Sequence, residues 1–325
     1  MATHRDQPSA DPDDPSAPLI IVNPRAARLA DAQRRRDVTA SIAHAVLYRT
    51  GRPGRIVDGD LDEARAAIAG LASTPEPPLV VAAGGDGTIR DAAAALAGRP
   101  IPLAMIPGGT GNVLASALKL GSIRSAIEAI RTGPERMIDL GQASWGSTTA
   151  LSAPPARDHL FLVACGMGLD ARIMAAAQHE WKRRMLFGAY VGAALTELTR
   201  LRTAVFHITA DGQELEIRGY LVLIANAGDI VPGRIGPRRP IDPTDGRLQL
   251  MVLGAKNPLD GLRRAASLLL SEDELDGRVI RRSVSQVRVE AEPAQPIEID
   301  GDDQPPGWLE ARVLPGALKV LGPSS

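Results

Sequence analysis

Two glycine-rich segments contain the residue types that bind phosphate groups. The first, Gly84-Gly85-Asp86-Gly87-Thr88, follows the apolar run at residues 79–83. Glycines let a backbone turn sharply and approach a ligand closely, and the amides that open a following helix point at an anion. Taken alone, the segment is equally consistent with a tight strand-to-helix turn that binds nothing, with Thr88 as the helix cap.

The second segment, Pro107-Gly108-Gly109-Thr110-Gly111-Asn112, also follows an apolar run and precedes a helical pattern. In open α/β sheets, ligands bind where the loops at the carboxyl ends of neighbouring strands converge. Two such loops therefore favour a ligand site over two bare turns. Neither segment has the Gly-Lys-Ser/Thr pattern of P-loop enzymes or the Gly-x-Gly-x-x-Gly pattern of dinucleotide folds, which excludes both classes.

Two further segments are acidic. They are Asp242-Pro243-Thr244-Asp245-Gly246-Arg247 and Asp300-Gly301-Asp302-Asp303. By composition alone, each is typical of a solvated turn beside a strand. The five histidines lack ligand spacing, and a single cysteine, Cys165, permits neither an intrachain disulfide nor a Cys-based zinc site.

The elements around these segments predict two domains. Between residues 19 and 141 strands and helices alternate, as in a doubly wound, Rossmann-like α/β domain. Beyond about Gly141 short strand-like runs bounded by Gly, Pro or Asp predict a largely antiparallel β domain. The predicted strands are 19–22, 55–57, 79–83, 103–106, 160–164, 203–209, 214–225, 248–253, 284–290, 297–299 and 311–314, and the predicted helices are 37–49, 61–71, 88–97, 112–118, 123–131, 171–201 and 259–270.

The helical pattern at residues 171–201 mixes apolar side chains with basic clusters. Such a helix could face a membrane, with its basic residues at anionic head groups. The alternative is a helix with one face in the core and the other in solvent.

Composition excludes some functions. The 325 residues are 44% apolar, which suffices for two cores, and 37 basic against 38 acidic residues leave a net charge of −1. With 3% aromatic residues, a stacking platform for single-stranded nucleic acid is not expected. Residues 1–18 are rich in Asp, Pro and Ser and predict a disordered tail rather than a signal peptide. No apolar run is long enough to span a bilayer, so we expect a cytoplasmic protein with at most peripheral membrane contact. A homodimer is left open.

The order of the motifs resembles that of the diacylglycerol kinase catalytic-domain family, which includes bacterial lipid kinases and sphingosine kinases. The resemblance runs from Ile21 to about Leu321. It implies an N-terminal nucleotide domain at 19–141, a β-sandwich-like substrate domain at 142–314, a returning segment at 315–325, and an active site in the cleft between the domains. Besides the four segments above, the series contains Asn23-Pro24, Gly166-Met167-Gly168-Leu169-Asp170-Ala171 and Asn226-Ala227-Gly228.

The resemblance also implies residue roles. Asp86 would engage the nucleotide or its Mg²⁺. Asp302 stands where the family's Asp-Gly-Glu motif has the proposed general base, and it is one methylene shorter, with Asp303 as a competitor for the role. Asp245 would bind a structural Mg²⁺ together with main-chain oxygens of Asp242 and Arg247. The residues implied to hold the nucleotide are Asn23, Pro24, Gly84, Gly85, Asp86, Gly87, Thr88, Ile89, Arg90, Gly109, Thr110, Gly111 and Asn112.

One departure concerns the first motif, in which the family has a small residue and glycine after Asn-Pro. This chain has Arg25-Ala26-Ala27 instead, which stiffens the loop, although Arg25 could supply charge to a phosphate.

The resemblance predicts an ATP- and Mg²⁺-dependent lipid kinase that phosphorylates a hydroxyl of diacylglycerol or of a related sphingoid or glycerol lipid at the membrane surface. An NAD kinase-like enzyme is an alternative, because that group shares the Gly-Gly-Asp-Gly loop. A catalytically silent regulator that binds nucleotide or lipid is a third reading, motivated by Asp302 in place of glutamate.

Overall fold

The computed structural model describes residue 14 and residues 16–59, 61–70, 78–146, 159–168, 203–228, 241–254 and 279–323. The chain forms two compact units, Met1–Ile138 with Gly316–Ser325, and Asp139–Pro315. The observed division lies close to the one predicted from the sequence near Gly141.

The first unit is an α/β fold, as predicted. Its strands form a parallel sheet in the order β15-β4-β3-β1-β2. Its elements in chain order are β1 (Leu19–Val22), α1 (Ala32–Thr50), β2 (Arg55–Asp58), α2 (Leu61–Gly70), β3 (Val80–Gly84), α3 (Asp86–Leu96), β4 (Leu103–Pro107), α4 (Val113–Ala117), α5 (Ile123–Thr132), the first residues of β5 (Glu135–Gly146) and the last residues of β15 (Trp308–Leu321).

The central strands β1, β3 and β4 are buried along their whole length, as expected for apolar strands of a parallel sheet that is covered on both faces. Helix α1 begins earlier than predicted because Asp31 caps it, accepting from the Arg34 amide at 2.8 Å. It ends where Gly51 adopts a left-handed conformation. The core of this unit lies between the sheet and helices α1 and α5, and includes Ile20, Val22, Ile42, Val46, Val81, Ile106 and Ile130.

Residues 14 and 16–18, which the sequence assigns to the tail, contact the first unit. Ala17 is buried, and the Asp14 carboxylate lies 3.1 Å from the Arg52 guanidinium.

The second unit is antiparallel in all of its described strand pairs, which confirms the sequence prediction. The strand order is β14-β13-β7-β9-β8-β12-β15, with β10 joining β9 and β11 in addition. Its core contains Phe161, Phe206, Ile224, Leu250, Val289 and Leu309. Besides parts of β5 and β15, its elements are β6 (His159–Phe161), β7 (Ala164–Met167), β8 (Ala204–Ala210), β9 (Gln213–Ala225), β10 (Leu248–Gly254), β11 (Val279–Val284), β12 (Gln286–Glu292), β13 (Ile297–Ile299) and β14 (Asp302–Gln304).

Several strand predictions were wrong in detail. The strand predicted at 160–164 is split into β6 and β7, because a turn at Leu162 and Val163 is held by the side chain of Asp300. Of the predicted strand 284–290, Val284 ends β11 and residues 286–290 belong to β12. Strand β15 is far longer than the predicted 311–314, and its Val320 pairs in parallel with Leu103 of β4. Strand β5 was missed because it begins with the exposed charged residues Glu135 and Arg136, and β14 was missed because it contains no apolar residue.

The helical patterns predicted at 171–201 and 259–270 lie outside the described residues. Among the described helices, none is both long and apolar enough to span a lipid bilayer.

Candidate functional site

The two glycine segments of the first unit lie against each other at the carboxyl ends of β3 and β4. The amides of Gly108 and Gly109 donate to the Gly84 carbonyl at 2.7 and 3.2 Å. A Cβ atom on Gly109 would lie 2.6 Å from the Gly85 Cα, closer than real contacts allow. Glycine at position 109 is therefore required for the loops to pack, and the predicted convergence of the two segments is observed.

Asp86 fastens the two segments together. Its two carboxylate oxygens accept from the amides of Asn112 and Val113, at 2.8 and 2.9 Å, where α4 begins. Burial raises the pKa of this carboxyl, and the two amides oppose that rise. An ionised carboxylate has about four acceptor positions, so Asp86 keeps capacity for a ligand beyond these two bonds.

Asn112 shapes its own loop. It is 1% exposed and has a left-handed backbone, with φ 53° and ψ 45°. Its Oδ1 accepts from the Gly109 amide at 2.9 Å, and its Nδ2 donates to the Gly109 carbonyl at 2.8 Å. The neighbouring Thr110 is exposed, and Gly111 is half-buried.

Asn23 connects the end of β1 to helix α3. Its Nδ2 donates to the Thr88 hydroxyl at 2.9 Å, and its Oδ1 accepts from the Arg25 amide at 2.9 Å, which closes the turn that contains Pro24. The Arg25 side chain is exposed. Asn23 thus contacts the first glycine segment through Thr88, and the role of Asn23 and Pro24 at the nucleotide stays a prediction.

One expectation about α3 was wrong. Thr88 does not cap the helix, because α3 begins at Asp86 with Gly85 as its N-cap, and the buried Thr88 hydroxyl accepts from Asn23 instead. The side chain of Ile89 is buried and its amide donates to the Gly85 carbonyl, and its role at the nucleotide stays a prediction. The side chain of Arg90, on the same helix, is half-buried.

Arg28 is a residue that sequence reasoning missed. Its amide donates to the Gly108 carbonyl at 2.8 Å, and its guanidinium donates to the carbonyls of Pro107 and Gly121, both at 3.3 Å. Arg28 therefore holds the main chain of the second glycine segment. No periodicity or spacing marks it, because the partners are main-chain atoms distant in sequence.

In the second unit, Asp302 begins the second strand of a hairpin. The hairpin turn is Asp300-Gly301, with φ values of 47° and 89°, and both residues at positive φ make it a type I′ turn. Asp302 is exposed and pairs with Ile299, and Asp303 is exposed opposite Glu298. The Asp302 side chain therefore lies directly after the turn of a two-stranded hairpin.

Glu298 is a further carboxyl group in this hairpin, and no sequence motif marked it. It is 8% exposed, and its Oε1 accepts from the Gly301 amide at 2.7 Å. Burial raises the pKa of Glu298, and the negative charges of Asp300, Asp303 and Asp302 raise it further.

The segment predicted to bind Mg²⁺ is a tight turn before β10. Asp242 accepts from the Thr244 hydroxyl at 2.7 Å, and Asp245 accepts from the Arg247 amide at 2.9 Å. Burial raises the pKa of Asp245, and the charges of Asp242 and Asp139 add to this.

Asp139, which sequence reasoning also missed, is 3% exposed and holds the same turn. Its Oδ2 accepts from the Gly246 amide at 2.7 Å, and its own amide donates to the Pro243 carbonyl at 2.6 Å. In the sequence Asp139 lies between Ile138 and Leu140 of β5, and this local pattern does not indicate the contacts with Pro243 and Gly246.

The predicted ligand set of this turn, Asp245 with main-chain oxygens of Asp242 and Arg247, stays a prediction. In the described part of the chain, no three His, Cys, Asp or Glu side chains are arranged to hold a metal ion. The Arg247 side chain is engaged elsewhere, with Asp211 at 3.0 Å and Ser285 at 2.6 Å. Only its carbonyl oxygen is therefore suited to a cation.

Comparison with known proteins gives matches over both units. The family model of the diacylglycerol kinase catalytic domain matches residues 17–143, and that of the YegS C-terminal NAD kinase beta sandwich-like domain matches residues 163–322.

Three curated relatives illustrate the similarity. A protein of Mycobacterium tuberculosis named diacylglycerol kinase is 30% identical over 291 residues, covering 86% of this chain and 89% of the relative. A probable lipid kinase YegS-like of Pseudomonas aeruginosa is 28% identical over 292 residues, covering 89% and 87%. An uncharacterized protein of Synechocystis is 28% identical over 250 residues, and this chain spans just over half of its length, 55%.

A solved structure shares the fold. The crystal structure of a diacylglycerol kinase from Bacillus anthracis superposes with a TM-score of 0.68 at 21% identity, covering 94% of this chain and 97% of that one. At this identity the likeness shows the architecture alone.

Proposed function

Because the chain belongs to the diacylglycerol kinase catalytic-domain family, we propose that it is a lipid kinase that transfers the γ-phosphoryl group of ATP to a hydroxyl of diacylglycerol or of a related sphingoid or glycerol lipid. Mg²⁺ is the proposed metal. The observation that supports this most strongly in the structure is the fastening of the two glycine segments by Asp86.

The start of α3, which contains Asp86, is suited to binding an anion. The N-cap is Gly85, which has no side chain to satisfy the first amides of the helix. A Cβ atom on Gly87 would meet no described atom within 4 Å, and Gly87 is not among the glycines with positive φ. Packing in the described part of the fold thus gives no reason for glycine there, whereas the close approach of a phosphate does.

Phosphoryl transfer needs positioning and charge neutralisation more than covalent help. In the proposed reaction the amides of the first turn of α3 orient the phosphates, and Asp86 engages the nucleotide or its Mg²⁺. When bound, Mg²⁺ supplies positive charge against the phosphate oxygens. The residues proposed to form or support the nucleotide site are Asn23, Pro24, Gly84, Gly85, Asp86, Gly87, Thr88, Ile89, Arg90, Gly109, Thr110, Gly111 and Asn112.

Asp302 is the proposed general base. Its exposed carboxylate on the hairpin can reach an acceptor hydroxyl that is brought to it, and ionised carboxylates accept protons from such groups when they lie within hydrogen-bonding distance. The buried Glu298 supports the same hairpin through the Gly301 amide.

A structural Mg²⁺ site is proposed at Asp245 and the carbonyl oxygens of Asp242 and Arg247. The mutual repulsion of Asp139, Asp242 and Asp245, which raises the pKa of Asp245, would be relieved by a cation. The lipid substrate is proposed to be met at the membrane surface by a cytoplasmic, peripherally bound protein, with a homodimer as an open possibility.

The test is a kinase assay with labelled ATP, Mg²⁺ and a lipid extract, with products resolved by mass. The control variant is Asp91→Ala, at a half-buried position in the middle of α3. The wild type and this control are expected to give a new phospholipid that Asp86→Ala does not give. Phosphorylation of NAD without any lipid product would favour the NAD kinase alternative. Nucleotide binding without either product would favour a silent regulator.

A further inference from the structure

The turn between β6 and β7 has its main-chain groups bonded by two residues from distant parts of the sequence, Asp300 through its side chain and Asn226 through its side chain and its main-chain amide. Asp300 accepts from the amides of Leu162, Val163 and Ala164 at 2.7, 2.9 and 3.1 Å. Asn226 donates from Nδ2 to the Leu162 carbonyl at 3.0 Å and from its amide to the Val163 carbonyl at 2.8 Å. The turn is therefore held by its amides through Asp300 and by its carbonyls through Asn226.

Asn226 makes a second connection. Its Nδ2 also donates to the Asp139 carbonyl at 3.0 Å, so both hydrogens of this amide are used. Asp139 in turn holds Pro243 and Gly246 of the turn that contains Asp245, at 2.6 and 2.7 Å. Asn226 is fully buried, and hydrogen bonds in such a low-dielectric environment are costly to break.

These bonds form one continuous path within the second unit. It begins at Asp300 in the hairpin turn, passes through the β6–β7 turn to Asn226, continues to Asp139 and ends at Gly246. We infer that Asn226 and Asp300 are positioning residues that fix the hairpin of Asp302 relative to the turn of Asp245. The inference rests on the proposed function, because Asp302 and Asp245 have their roles only there.

The chemistry of the side chains explains why these residue types are needed. Asn226 acts through its two donors, since its Oδ1 has no hydrogen-bond partner among the described atoms. Asp300 has φ 47°, a conformation that Asp and Asn tolerate better than other side chains. Asp300→Asn therefore keeps the shape and the backbone and places an amide donor where the turn already presents N–H groups.

A kinetic cycle separates positioning from a merely structural role. Asp300→Asn is expected to lower kcat about tenfold, since a displacement of about 1 Å costs up to about a hundredfold, while KM for ATP changes less than about twofold. In an Asp302→Ala background the same change should lower kcat by less than about twofold further, because it acts through Asp302. Thr209→Ala, exposed on β8, is the control. Equal losses in both backgrounds would overturn the inference.

Hydrogen–deuterium exchange on the full chain tests the path without any activity. In Asn226→Leu, or in Asn226→Ser if the first variant does not fold, exchange is expected to rise about tenfold at residues 162–164 and at Gly246, and to stay unchanged in Thr209→Ala. Faster exchange at 162–164 with no change at Gly246 would break the path. If the wild type phosphorylates no lipid, the proposed function fails, while the exchange data still decide whether the two turns are linked.

Discussion

In both units an aspartate fastens a neighbouring stretch of main chain by accepting from consecutive amides. Asp86 holds the start of α4, and Asp300 holds the β6–β7 turn. In the first unit the fastening carboxylate is itself the predicted ligand of the nucleotide or its metal. In the second unit, fastening and chemistry are divided between Asp300 and the exposed Asp302. Changes at Asp86 should therefore disturb stability and activity together, whereas the two properties are separable in the hairpin.

The largest effect is expected for Asp86→Ala. It leaves the amides of Asn112 and Val113 without their acceptor, and lost hydrogen bonds to a charged group cost about 1.5–3 kcal/mol each. We expect kinase activity to vanish and the free energy of unfolding in urea to fall by about 2–4 kcal/mol after relief of the carboxylate burial. Asp91→Ala should change neither by much. A fully stable Asp86→Ala would contradict its fastening role.

Asp302→Ala is expected to separate the two properties. Loss of a general base lowers kcat about 10²- to 10⁴-fold, whereas substitution of an exposed residue changes stability by about 0.5 kcal/mol or less. Asp302→Glu restores the methylene found in the family motif and should keep or raise activity. Steady-state kinetics and urea titrations on the same preparations measure both. Full activity in Asp302→Ala would remove it from the reaction.

A pair of alanine substitutions compares two glycines of the first unit. In Gly109→Ala the new Cβ would meet the Gly85 Cα at 2.6 Å, and overpacking of this kind costs about 1–3 kcal/mol. In Gly87→Ala the Cβ meets no described atom within 4 Å, so stability should hold while KM for ATP rises. Thermal unfolding with nucleotide binding distinguishes the two. Unchanged ATP binding in Gly87→Ala would argue against a phosphate at this turn.

The smallest effect concerns the pH dependence of the hairpin. The pKa of Glu298 is raised above its ordinary 4.5, chiefly by burial, so the folded state holds this proton more tightly than the unfolded state. Its contribution to stability is present below pH 4.5 and is lost as pH rises through the higher folded pKa.

Glu298→Gln keeps an oxygen for the Gly301 amide and removes the titration. The difference in the free energy of unfolding, wild type minus variant, should therefore decrease as pH rises from 4.5 through the raised pKa of Glu298. Urea unfolding at a series of pH values measures this difference. The exposed Glu292→Gln serves as control. A difference that is flat with pH would show that burial does not perturb Glu298.

The sequence by itself determined the order of strands and helices in the first unit and the antiparallel character of the second. Apolar runs such as Leu19–Val22 are confined to buried strands whatever the partner, so local pattern suffices for them. It also marked the glycine segments, because glycine is rarely placed without a backbone reason.

Only the tertiary structure decided which side chains hold these segments in place. Arg28, Asp139 and Asn226 act on main-chain groups far away in sequence, and such contacts leave no periodicity. The tertiary structure also moved Thr88 from a cap to a buried acceptor and Ile89 into the core. The physical reason is that burial and hydrogen bonding are satisfied across the whole fold, whereas a sequence motif records only neighbours along the chain.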